Sequence, residues 1–150
     1  MTDARRRNVL IAAAAAILLA FILIREFWPG KPFADLKQDS VISVDVSFGT
    51  YPEYQISGAD QERLTGLLQT ITVTKESDAY KQLSAKSYSD IFILHLAADR
   101  DISVEPFYPY LIIDGTGYQC NDRDALDAMS SIYDSYIDVI RQTSKPAGSH

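Results

Sequence analysis

The sequence predicts an α+β domain carried on a single N-terminal transmembrane helix. Three observations carry that prediction. All 16 residues from Val9 to Ile24 are apolar. Between Ile42 and Cys120, short apolar runs alternate with polar residues and are divided by Gly, Pro and Asp. Two helical stripes flank most of those runs, one over Leu64, Leu67, Leu68 and Ile71 and one from Ala125 to Ile140. Runs of strands set between helices imply five to seven mostly antiparallel strands, with the two amphipathic helices on one face of the sheet.

The N-terminal run comes first. Arg5, Arg6 and Arg7 precede it, and Arg25, Glu26, Phe27, Trp28 and Pro29 follow it. At 1.5 Å per residue, a helix through Trp28 reaches about 30 Å, the thickness of a hydrocarbon core. Trp28 would sit in the interfacial belt, and Pro29-Gly30 would end the helix. A cleaved secretory signal shares this charge-then-apolar pattern but needs a small-x-small triplet. The nearest, Pro32-Phe33-Ala34, has a poor first residue. The expectation is an uncleaved signal anchor over residues 9–28, in contact with the lipid bilayer, after a cytoplasmic tail at 1–8. The N-terminal arginines favour an N-in orientation, with the domain outside the cytoplasm.

Charge separates the two parts. From Asp35 onward 18 acidic residues stand against 9 basic ones, a net −9, within a chain total of −6. Such a field repels phosphate backbones, so nucleic-acid binding is not expected. With 7 Gly, 6 Pro and 1 Cys in 150 residues, collagen-like and disulfide-framework classes are excluded. Cys120 alone cannot form an internal disulfide and reads as a small buried hydrophobe.

Residues 29–39 hold two prolines and a glycine among charges and read as a linker to a domain at 40–142, with a disordered tail at 143–150. Ile42, Val44, Val46 and Phe48 alternate with Ser43, Asp45 and Ser47, the period of a half-buried strand. Tyr51 to Ile56 is expected to return beside it, Pro52 marking an edge. Ser57 with Asp60 forms a capping-box pattern ahead of the first stripe. Ile71 to Lys75 turns β-like, and 76–87 reads as a loop or short helical turn. The most apolar stretch, Ser89 to Ala98, suits a central strand. Asp99-Arg100-Asp101 and Gly115-Thr116-Gly117 read as hairpin turns. Asn121 or Asp122 caps the last helix.

No cofactor is expected, and no catalytic or metal-binding residue can be named. The chain has two histidines, so paired His/Cys metal spacing is missing. His95 reads as a half-buried strand histidine with a hydrogen bond. Asn121, Asp122, Asp124 and Asp127 lack the spacing of a calcium loop and read as a solvated helix start. The aromatics stand out more. Phe107, Tyr108, Tyr110 and Tyr118 flank one hairpin, stiffened by Pro106 and Pro109, and form the candidate partner-binding surface.

The strand SVISVDVSF, the helix LTGLLQTI with its threonine-rich continuation, and GYQCNDRDAL leading into a long helix resemble small uncharacterised proteins of Firmicutes-type bacteria. Those proteins join a membrane anchor or lipoprotein signal to one extracytoplasmic α+β domain. The resemblance implies that fold and address, and no activity. The functional expectation is a non-catalytic interaction module of the cell envelope, its partner another envelope protein. The alternative is an accessory subunit acting through its transmembrane helix, where Ala12 to Ala16 offer a small-residue face. An enzyme ranks below both.

Overall fold

The computed structural model describes residues 13–20, 30–84 and 90–143. In chain order these form α1 (residues 13–20), a 3-10 turn (Gln38–Ser40), β1 (Val41–Ser47), β2 (Tyr54–Gln55), α2 (Gly58–Thr70) and α3 (Tyr80–Ser84). Then follow β3 (Ile91–Leu96), β4 (Arg100–Phe107), β5 (Tyr110–Ile113), β6 (Thr116–Gln119) and α4 (Arg123–Thr143). The strands make one six-stranded sheet in the order β2-β1-β3-β4-β5-β6, with every pair antiparallel. The α+β class and the strand number agree with the sequence reading.

Register sets which side chains share a face. Val44, Leu94 and Ile102 stand in one row across β1, β3 and β4, and Val46, Phe92 and Val104 in the next. All six are buried, as the alternation requires. They form one cluster with Leu64 and Leu68 of α2 and Leu126, Met129, Ile132, Tyr133 and Ile140 of α4. Both long helices therefore cover the same, inner face. Full burial of such a side chain is worth about 1.5–3 kcal/mol, well above an exposed ion pair. The opposite, outer face carries Ser43, Asp45, Ile93, His95, Asp101 and Ser103.

In β1 the pattern is displaced by one position. Val41 is buried, whereas Ile42, expected in the core, is 66% exposed. The ladder with β3 shifts between Val41 and Ser43, and this bulge turns Ile42 outward. The return strand shrinks to Tyr54–Gln55, because Pro52 and the Gly49-Thr50 turn leave few residues to pair.

Both long helices begin as their sequences suggest. The Ser57 hydroxyl accepts from the Asp60 N–H at 3.2 Å. The Asp122 carboxylate accepts from the Ala125 N–H at 3.1 Å. The Tyr136 hydroxyl then donates to the Asp60 carboxylate and accepts from the Ser57 N–H at 2.9 Å, tying α4 to the start of α2.

The β6 edge is covered. Thr74 N–H donates to Gln119 O at 2.9 Å, Gln119 N–H to Lys75 O at 2.7 Å, and Ser77 N–H to Gly117 O at 2.8 Å. This accounts for the β-like character of Ile71 to Lys75. Gly30 pairs in turn with Val73 through two backbone bonds of 2.6 and 2.8 Å. Phe33 is 6% exposed, and Gln38 bonds the Glu62 carbonyl at 3.0 Å. The segment read as a linker is thus packed on the domain from Gly30 onward.

Among the described residues no helix is long and apolar enough to cross a membrane. The described part of α1 covers eight residues of the expected span. The remainder of 9–28, the expected tail at 1–8 and residues 144–150 lie outside the described residues.

Candidate functional site

The four aromatics singled out in the sequence divide between the two faces. Tyr118 pairs with Leu111 on the inner face and packs against the core. Phe107 and Tyr110 pair with each other at the mouth of the β4–β5 hairpin, on the outer face. Tyr108 lies in that hairpin's two-residue turn, before a cis Tyr108-Pro109 peptide, and is 51% exposed. The Arg123 guanidinium, at the start of α4, stands 5.2 Å above its ring. At the far end of α4, Arg141 lies 5.4 Å above Phe48, which stacks on Tyr51 at 5.5 Å and 16°. Antiparallel register places the turns after Ser47 and Phe107 at the same end of the sheet. Two arginine–aromatic pairs therefore decorate one rim, at about 0.5–1 kcal/mol each for such exposed contacts. Phe48, Gly49, Thr50, Tyr51 and Arg141 line an open cavity of about 380 Å3 there.

Beyond Tyr110 the outer face is closed. Tyr80 of α3 lies over Gly117, donates its hydroxyl proton to the Gly115 carbonyl and meets Tyr110 at 6.4 Å. Ile112, opposite Gly117 on the same face, is 3% exposed. Sequence spacing gave no sign of this contact, since Tyr80 and Gly117 lie in separate segments.

The open half of the outer face holds a polar group that the sequence did not reveal. His95 Nδ1 stands 2.8 Å from Asp101 Oδ1, and Nε2 stands 3.1 Å from Asp45 Oδ2. The side chains are 30% exposed for His95, 65% for Asp101 and 21% for Asp45. The Asp101 hydrogen bond, then the one to Asp45, holds His95 above its ordinary value, against a lowering by desolvation. His95 is the half-buried, hydrogen-bonded strand histidine that the sequence suggests, and the structure supplies the identity of its two carboxylate partners. Sequence spacing places Asp101 in a hairpin turn, whereas β4 begins at Arg100 and the turn ends at Asp99, with φ 54°.

A second titratable group lies where β3 begins. Burial, then the charges of Asp134 and Glu105, pushes Asp90 up to about 6. One carboxylate oxygen of Glu105 is buried without a hydrogen-bond partner. Burial also raises the Cys120 thiol, consistent with its 0% exposure and its reading as a small core residue. Of the acidic cluster at the start of α4, Asp122 caps the helix and Asp127 pairs with Arg123 at 3.4 Å. Among the described residues no three His, Cys, Asp or Glu groups converge on a point that could hold a metal ion.

No family model, curated protein or solved structure matches this chain.

Proposed function

We propose that this chain is a membrane-tethered interaction module of the bacterial cell envelope, with its N-terminus cytoplasmic and its domain extracytoplasmic. It acts by holding another envelope protein rather than by catalysis. The observation that carries the reading is the surface of α1, where Ile17, Leu18 and Leu19 are 60–70% exposed. An apolar helix surface of that kind, inside a 16-residue apolar run, calls for lipid around it. The non-catalytic part rests on His95, whose two nitrogens are both engaged by carboxylates, leaving neither for a substrate proton. The contact surface is the rim at Tyr108 and Arg123. An exposed tyrosine under an arginine joins two side-chain types enriched at binding hot spots.

The test uses the full chain in its own membrane. Sodium carbonate washing should leave it in the membrane fraction, and protease added to intact cells should remove the domain. Release by carbonate, or protection of the domain in intact cells on which a known surface-exposed protein is cleaved, would sink the anchor or its orientation. A photoreactive side chain at position 108 should give a discrete adduct absent when it is placed at Glu62. Capture of the same partner by a photoreactive side chain placed in the stem at Ala14, surviving replacement of the whole domain, would favour the accessory subunit.

A further inference from the structure

We propose that His95 is a proton-dependent staple: as an imidazolium it donates to Asp45 and Asp101 at once, tying β1 to β4 across β3, and loss of its proton cuts one tie. The argument begins with donor arithmetic. An ionised carboxylate only accepts hydrogen bonds, and a neutral imidazole has one N–H donor and one lone pair. Carboxylate oxygens stand 2.8 Å from Nδ1 and 3.1 Å from Nε2, so both contacts are hydrogen bonds only in the charged ring. In either neutral tautomer one nitrogen lone pair faces an anion. The carboxylates sit on opposite edges of the ring, which also prevents the three groups from converging on one metal ion.

The staple spans the part of the sheet that most needs it. Among the described residues the free edge of β1 is held by its two-residue pairing with β2, at Asp45 and Val46, and by the Ile56 N–H donating to the Val44 carbonyl at 3.0 Å. Its hold on the rest of the sheet runs through β3. His95 lies directly opposite Ser43 of β1 and Asp101 of β4. The charged groups facing it are Asp45 from β1 and Asp101 from β4, and its face-mates on β3 are Ile91 and Ile93. With the proton in place the trio carries one net negative charge. Without it the open face gains a second, in a domain already strongly acidic. The fold of an exported chain would thus respond to external pH through one side chain.

The sign follows from linkage. The folded state binds the His95 proton more tightly than the unfolded chain, so the staple's contribution is complete below about 6.5. It is lost as pH rises through the higher folded value. The test follows the His95 ring resonances of the full chain in detergent by NMR, with urea unfolding midpoints from pH 5 to 9. His95 should titrate above 6.5, and Asp101→Asn and Asp45→Asn should each lower that value, Asp101→Asn by more. The fall in midpoint across His95's titration should vanish in His95→Gln. Titration at or below 6.5, no response to either Asn substitution, or an unchanged pH profile in His95→Gln would each overturn the proposal. If His95→Gln does not fold, the two Asn variants still decide it.

Discussion

A methyl group added at Gly117 would stand 2.3 Å from Cδ1 of Tyr80 and 2.8 Å from the Ser77 carbonyl oxygen. Atoms do not approach so closely, so Gly117→Ala must push the ring off the sheet. The expected cost is about 1–3 kcal/mol, read as a lower urea midpoint. In a Tyr80→Ala background the same substitution should cost less, with the Ser77 contact remaining. Strictly additive effects would show that the ring is not what the methyl meets. Gly115 differs: it follows Asp114 in a two-residue turn, with φ values of 78° and 48°. Positive φ at both positions makes the type I′ hairpin that Asp-Gly favours. The sequence marks both glycines as turn residues, and only one is. The reason for Gly117 lies at Tyr80, in another segment, where no local pattern can report it. Asp90 is a residue-scale matter too. Its value of about 6 lies above the ordinary 3.8, so the folded state binds its proton more tightly. That contribution is complete below about 3.8 and is lost as pH rises through 6. Asp90→Asn should therefore raise stability at pH 7 by about 1–2 kcal/mol, allowing for partial exposure, and change little at pH 3.5. A variant no more stable than the parent at pH 7 would contradict the role given to burial.

Elements depend on contacts that their own sequences only partly announce. Ser57 and Asp60 are legible as a capping box from spacing alone, and half of it forms: Ser57 Oγ accepts from the Asp60 N–H, while the Ser57 N–H goes to the Tyr136 hydroxyl instead of the Asp60 carboxylate. Tyr136 is legible only as one member of an apolar stripe. Its hydroxyl, bonded to Asp60 and to the Ser57 N–H, becomes visible once α4 is docked beside α2. Ser57→Ala should cost about 1 kcal/mol as a lost cap. Tyr136→Phe should cost about 1.5–3 kcal/mol, with a hydrogen bond to a charged group removed. Because they share Asp60, the double variant should cost less than the sum, by about 0.5 kcal/mol or more in a urea-denaturation cycle. Additivity would mean that the cap and the helix–helix bond act separately. β1 shows the opposite limit. Alternation identifies the strand and its buried face, yet Ile42 points outward because a bulge shifts the ladder at the strand's start. Hydropathy reports the period of a strand, while a bulge is settled by the partner strand. The same limit hid the His95 group, since cross-strand neighbours follow from register alone.

At the scale of the whole molecule, the basic stem and the acidic domain meet at a short connection. The composition of residues 29–39 suggests a linker, but Gly30 is already fixed to Val73 by two backbone bonds and Phe33 is buried. Six residue-to-residue steps, with five residues between, separate Ile24, the end of the apolar run, from Gly30. At most about 3.6 Å per residue, that length cannot exceed roughly 22 Å. If residues 9–28 span a bilayer as proposed, the Gly30–Val73 edge is held at the membrane surface and the domain cannot range far from it. Partner contact at the Tyr108 rim would then take place within a thin layer above the lipid. Like-charge repulsion between the acidic domain and anionic lipid would tend to stand the rest of the domain away from that surface. A fluorophore placed at Lys31→Cys tests the geometry, since Cys120 is fully buried and should stay unlabelled while the chain is folded. In vesicles carrying acceptor lipids, the label should transfer energy strongly, because position 31 lies at most about 25 Å from the end of the apolar run. Inserting ten Gly-Ser residues before Gly30 should weaken the transfer, because a flexible linker lets the domain move away. Weak transfer from the parent chain would place Gly30 away from the lipid and remove the basis for the anchor.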